Sequence, residues 1–260
     1  MKGRITILLM AAVTCITSIK VIASNDIEHV FFGAPEKKDW KLGEVDNYTF
    51  QQLNGYLAFA IIQNLEHEFE VVLNEISKRQ YNQFYIVSNI MLSGEMGKDK
   101  YAIKLIETLK DVDANIAANG KDTLLHYFSQ HGSIEIVKKL LESGANADIR
   151  DSFNNKPLDK AAMNDDIAMY RLIFPYTDLT TSIKTPHGDW YYYDSLSGQL
   201  LFGDKMNRKD MFSLLINDDD FPKDYFTLAN LRMKLYKKDY KDILPIIDPY
   251  IKALGYTPVP

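Results

Sequence analysis

The sequence predicts an all-α protein built from a short helix pair that repeats along the chain. Three observations carry this. Apolar residues recur at helical spacing in two short runs: Leu124, Leu125 and Phe128, then Ile134, Ile136, Val137, Leu140 and Leu141. Neither run is long enough for a helix that is stable alone in water, so each needs a neighbour for its apolar face. Gly132 separates the runs, and Gly144 follows the second, where a chain leaving a helix turns left-handed and a Cβ is costly. The pattern then returns: Thr123 to Phe128 aligns with Lys156 to Ala161, 33 residues on.

Taken in chain order, the first segment is not a repeat. Lys2 and Arg4 precede an apolar run from Ile5 to Ile19, and Val21-Ile22-Ala23 offers small residues before Ser24. This is the pattern of a secretory signal peptide over 1–23. An uncleaved anchor is the alternative, but the run of about 15 residues is short of the ~20 that span a bilayer. Cys15, the only cysteine, lies inside the run behind Thr14, a poor context for lipidation. A mature chain without cysteine leans toward a bacterial periplasm, where disulfides are optional. Loss of Lys2, Arg4 and Lys20, with no acid, moves the net charge from -5 to -8. So acidic a chain is a poor candidate for nucleic acid or anionic headgroups.

Residues 24–49 form an irregular N-terminal cap, and repeats are expected over 50–174. Leu57 to Ala60 opens one helix pair and Val71-Val72-Leu73 closes it. Lys104 to Glu107 matches Lys139 to Glu142, Gly97 matches Gly132, and Val112 to Asn115 resembles Ala145 to Asp148. The equivalent leading positions are Leu57, Ile90, Leu125 and Leu158. Beyond Phe174 the period breaks. Residues 175–260 read as an insertion followed by degenerate repeats, with a loop or aromatic insertion near 177–193 and a turn at Pro186-His187-Gly188. A first helix resuming at Leu200-Leu201 implies about nine inserted residues. Met211-Phe212 and Leu214-Leu215 would supply its partner. Thr227 to Tyr236 and Tyr240 to Ile251 make a last pair, whose second helix must kink or break at Pro245 and Pro249. The count is about six helix pairs.

The motifs resemble the ankyrin repeat: Thr-Pro-Leu-His at the first helix, glycine between helices, and Leu-Leu-x-x-Gly-Ala-x-x-Asn after the second. Residues 113–174 carry the likeness, with Lys156 in place of threonine and Asp159 in place of histidine. Residues 50–112 keep only the period. The resemblance implies a helical-repeat solenoid with divergent terminal repeats and a surface that binds protein. It also gives His126 a structural role, its ring bonding neighbouring backbone.

No catalytic set persuades. Gly120-Lys121 lacks the leading glycine of a phosphate loop, and His67-Glu68 lacks a second histidine at Val71. His126 and His131 are poorly spaced for one metal. Asp218-Asp219-Asp220 could hold a cation, but adjacent loop acids are more often solvated. Ser195 and Ser197 sit in no nucleophile elbow. No cofactor and no metal are implied, and the chain reads as a non-enzyme.

Binding residues are therefore sought on the repeat surface. By resemblance the hairpin tips include Ala117 to Lys121 and Arg150 to Asn154. Phe153 is either an exposed anchor or folded against the next hairpin. Arg150 either pairs with Asp151 or reaches a partner. Tyr127 and Gln130 should lie on the first-helix face, as contacts or as spacers. Trp190-Tyr191-Tyr192-Tyr193 cannot all point inward on one strand, because side chains alternate faces. These four are either an interface or a strand buried on both sides.

Signal-bearing bacterial ankyrin proteins of this size look like immunity proteins of type VI secretion effectors, notably phospholipases. That resemblance implies a periplasmic inhibitor, monomeric before binding, that covers one toxic effector, as in a toxin–antitoxin pair. The alternatives are a periplasmic scaffold or stress-protection factor with broader protein partners, and secretion into a host cell.

Overall fold

A computed structural model describes residues 42–109, 112–119, 122–186, 188–203 and 206–258. The expected signal segment, Cys15, Lys121 and His187 lie outside the described residues. Among those described, twelve α-helices form six consecutive pairs. The chain is an all-α helical-repeat protein, and the pair count is the one its periodicity predicts. The described residues divide into two compact units, the first ending at Ile116 and the second beginning at Ala117, a boundary that sequence spacing did not suggest.

In the first unit, α1 (Phe50–Gln63) pairs with α2 (Glu66–Ile76), and α3 (Gln83–Glu95) with α4 (Asp99–Thr108). Both members of the second pair start 33 residues after their counterparts. Thr49 caps α1 in a reciprocal capping box with Gln52. Helix α1 packs on α2 and α3, and α3 on α4. The core holds Leu57, Ile61, Val72, Leu73, Ile90 and Leu105. Asn89 donates to Asn54 Oδ1 at 2.6 Å between the first helices, where both side chains are buried. Lys98 Nζ donates to the Ile61 and Ile62 carbonyls at 2.7 Å each, satisfying acceptors that the end of α1 leaves open. Leu42–Asn47 is a 3₁₀ turn, not wholly irregular. Arg79 ties it down, donating to Tyr48 O at 2.5 Å and Asp46 O at 2.6 Å.

The second unit holds four pairs: α5 (Leu124–His131) with α6 (Ile134–Glu142), α7 (Pro157–Met163) with α8 (Ile167–Ile173), α9 (Tyr192–Leu200) with α10 (Arg208–Asn217), and α11 (Tyr225–Lys237) with α12 (Leu244–Ala253). First helices stack in the row α5, α7, α9, and second helices in the row α6, α8, α10, α12. Two antiparallel hairpins project between pairs: β1 (Ala117–Asn119) with β2 (Asp122–Thr123), and β3 (Ser182–Thr185) with β4 (Gly188–Tyr191). Leu125, Phe128, Val137, Leu140, Leu158, Ile173, Leu196 and Leu215 run through the core.

Two expected registers are corrected. Leu57 and Ile90 lie in the middle of α1 and α3, whereas Leu125 and Leu158 lie at the openings of α5 and α7. The C-terminal register also shifts. Helix α9 begins at Tyr192, and Leu200 is its last residue, not its opening. First helices start at Leu124, Pro157 and Tyr192, 33 and 35 residues apart. Second helices start at Ile134, Ile167 and Arg208, 33 and 41 apart. Most of the added length therefore lies after α9, not before it. The cause is Tyr192, which fills the buried position held by Leu124 and Pro157, so the leucine pair falls at the end of the helix and not at its opening. Arg208 closes the enlarged loop, donating Nε to Leu200 O at 2.8 Å and stacking its guanidinium 3.7 Å from the Tyr240 ring. The last helix starts at Leu244 and runs through Pro249 unbroken, with Pro245 in its first turn, where the missing N–H is no loss.

Leu140 is fully buried in α6. Leu140→Ala should lower the unfolding free energy by about 2–5 kcal/mol in a denaturant titration.

Candidate protein-binding site

The site is built from the loop 149–156 and the hairpin β3–β4. Asp151 makes the first. Its Oδ1 accepts the N–H groups of Phe153 and Asn155, both at 2.8 Å, and its own N–H donates to Asn155 O at 2.8 Å. That side-chain turn puts Asn154 in the left-handed region, φ 67°, which asparagine tolerates. Phe153 is left at the apex, 81% exposed. The hairpin has register Ser182↔Tyr191, Ile183↔Trp190, Lys184↔Asp189 and Thr185↔Gly188. Its tight turn needs Gly188 at φ +116°. Trp190 is 63% exposed, and Tyr191 is also exposed.

Beneath both lies Lys156, fully buried. Its Nζ donates to Asp148 Oδ1 at 2.7 Å and to Asp178 O at 2.6 Å, and lies 4.1 Å from the centroid of the Tyr192 ring. Asp148 Oδ1 also accepts the Asp178 N–H at 2.9 Å. Burial lowers the Lys156 pKa, and Asp148 opposes that shift. The neighbouring pair Lys160–Asp151, at 2.6 Å, is buried on both sides. Burial acts to raise the Asp151 pKa, but the Lys160 and Asn155 bonds outweigh it and hold the carboxyl below its ordinary range. His126 does what the repeat pattern implies. Its Nε2 donates to Asn155 O at 3.0 Å, so Nδ1 accepts from Thr123. Desolvation lowers its pKa, which favours that neutral ring.

The predicted binding residues are not brought together on one surface. Phe153, Trp190 and Tyr191 are exposed on the two projecting fingers. Arg150 stands between those fingers, donating Nη1 to Asn154 O at 3.2 Å and Nη2 to Thr181 Oγ1 at 3.4 Å. It does not pair with Asp151, whose carboxylate Lys160 already holds. Tyr193 is half-buried, stacked on Tyr191 at 5.4 Å and edge-on to Phe221 at 5.7 Å. Tyr192 is a correction: it is core, 1% exposed, its ring flanked by Lys156 and by Arg150 at 5.3 Å. The aromatic run is not one strand. Trp190 and Tyr191 end β4, while Tyr192 opens α9, so face alternation stops after two residues. Tyr127 lies along α5 with its ring stacked on His131 at 4.1 Å, and its hydroxyl is buried. Gln130 is exposed at the last turn of α5, at the end away from Thr123, and its carbonyl accepts from Asn164. Neither joins the finger surface.

Sequence reasoning missed Lys156 and Asp148. The signal available was a lysine where the repeat pattern has threonine. Asp218 does not gather a metal-holding set: its Oδ1 accepts the Asp220 N–H at 3.0 Å, and no cluster of three or more His, Cys, Asp or Glu suited to a metal occurs among the described residues.

Asp159 is buried beside Tyr192, with Oδ2 accepting the Lys156 N–H at 2.7 Å. Oδ1, and the hydroxyls of Tyr170 and Tyr192, are buried with no hydrogen-bond partner of normal geometry among the described residues. Burial pushes the Asp159 carboxyl up to about 6, partly offset by the Lys156 N–H and Tyr192. A carboxyl whose folded pKa exceeds its unfolded value contributes stability below the unfolded pKa, and this is lost as pH rises through the folded one. The window therefore runs from about 4 to about 6. Asp159→Asn should stabilise the protein by roughly 2 kcal/mol near pH 8 and hardly at all near pH 4, measured by urea unfolding at both. Lys156→Ala should cost about 3 kcal/mol in the same measurement, with Lys156→Met recovering part of it through stem packing.

Comparison with known proteins bears on the same stretch. The profile of ankyrin repeats (3 copies) matches residues 91–183. A 65-residue stretch is 35% identical to the E3 ubiquitin-protein ligase hecd-1 of Caenorhabditis elegans. The match covers 25% of this chain and 2% of that protein, so the shared part is a small fraction of the relative. Residues 91–183 of this all-α repeat protein thus carry ankyrin repeats.

Proposed function

We propose that this chain is a non-catalytic protein-binding module whose two fingers grip a single protein partner. The observation that carries the reading is the contrast within the finger region. Tyr192 is wholly buried against an ammonium, while Phe153 protrudes from the loop and Trp190 from the strand that adjoin it. Large aromatics held rigidly and exposed are good interface anchors, because little freedom is lost when they bind. Arg150 between them supplies fixed donors for a partner's carbonyl or carboxylate.

The finer reading is an exported immunity protein that covers a type VI secretion phospholipase effector in the periplasm. The basic and then apolar start through Ala23, the acidic chain that follows and the ankyrin repeats support it. Protection of that kind calls for nanomolar affinity or better, about -12 kcal/mol.

The test is a competition. A strain lacking this gene is mixed with its parent, and it should die on contact only when the parent's secretion system is intact. Complementation with Trp190→Ala or Phe153→Ala should protect poorly, with effector binding weakened about tenfold or more and the melting temperature unchanged. Unchanged survival of the deletion strain would sink the immunity reading and leave a scaffold with broader partners. A fall in melting temperature like that of a core leucine would show Trp190 to be structural.

A further inference from the structure

Helix α11 is apolar on two opposite faces. Leu228, Leu231 and Leu235 are buried. On the other side, at helical spacing, stand Phe226, Met233 and Tyr236, which are 85%, 50% and 48% exposed. The end of α12 extends this surface, since Tyr256 stacks on Tyr225 at 4.0 Å and Leu254 beside it is exposed. Apolar residues gathered on an exposed helix face in this way form a surface set up to be covered.

Its charge says by what. The whole chain carries net charge -5, yet residues 223–252 hold seven Lys and Arg against four Asp. Arg232 is paired with Asp248 at 2.7 Å and Lys241 with Asp239 at 2.9 Å. Lys237 and Lys252 make no ion pair among the described residues, Lys234 is half-buried and acts on the Asp194 carboxyl, and Lys237 falls on the same stripe as Phe226 and Met233. A second copy meeting this face would bring like charges together. Protein interfaces enrich aromatics but deplete lysine. Aromatic and apolar side chains rimmed by lysines are instead the composition of a helix that lies on an anionic bilayer. Overall acidity does not exclude this contact, because charges beyond about 10 Å are screened at ordinary salt. No described helix is long and apolar enough to cross a membrane, so the contact would be peripheral.

We propose that the outer face of α11, with the end of α12, docks on an anionic lipid surface through Phe226, Met233 and Tyr236 inserted among lysines.

The test uses the full chain with two vesicle types, pure phosphatidylcholine and phosphatidylcholine mixed with phosphatidylglycerol. The chain should sediment with the mixed vesicles and not with the pure ones, and high salt should release it. Phe226→Ala with Met233→Ala should weaken partition about tenfold or more, with the melting temperature unchanged, because both residues are exposed. Lys234→Glu with Lys237→Glu should weaken it similarly, each lysine near such a surface being worth roughly fivefold. Several outcomes overturn the proposal: no binding to the mixed vesicles, equal binding to both types, or full binding by the Phe226→Ala and Met233→Ala variant. Concentration-dependent dimers that this variant abolishes, without vesicle binding, would assign the face to a second copy.

Discussion

The Lys156 ammonium is the constraint on which the second unit depends. A cation removed from water is expensive unless every donor finds a partner. Its partners come from three separate segments: the Asp148 carboxylate before it, the Asp178 carbonyl after α8, and the ring of Tyr192 opening α9. All three must be in place together for the charge to be tolerated. One side chain therefore ties successive repeats at their hairpin end, where threonine would only cap its own helix.

The consequence for binding is mechanical. With Lys156, Lys160 and Asp151 fixing the base of the loop, the apex at Phe153 has little room to collapse. The hairpin carrying Trp190 grows directly from the same anchor, since Tyr192 N–H donates to Thr181 O at 2.8 Å. Rigid support below and exposed aromatics above are two sides of one arrangement. The pair α11 and α12 differs. Phe226, Met233 and Tyr236 are exposed on α11, and the lysines of this pair give it a charge opposite to that of the chain as a whole.

The repeat was legible because burying a helix pair against its neighbour imposes a period, and a period survives large changes of residue. Thr123 with His126, Gly132 and Gly144 mark it plainly, and even α1 to α4 keep 33 residues with little motif left. The C-terminal register was not legible. A leucine pair at 200–201 is equally good at closing a first helix as at opening one, and only packing distinguishes the two. The choice between a local Arg150–Asp151 pair and a free Arg150 stayed open for a similar reason. Arg150 is adjacent in sequence, but Lys160 lies one helix turn beyond the start of α7 and comes back to the loop in space.

By itself the sequence determined the fold class, the number of helix pairs among the described residues and the place of the loop at Arg150 to Asn154, because these follow from short-range periodicity and turn chemistry. Tertiary structure decided which aromatics are core and which are surface, since that depends on what the next repeat places above each ring. Tyr192 and Trp190 are two residues apart and alike in character. One lies under a neighbouring repeat's ammonium and the other faces solvent, a distinction that exists only once the repeats are stacked.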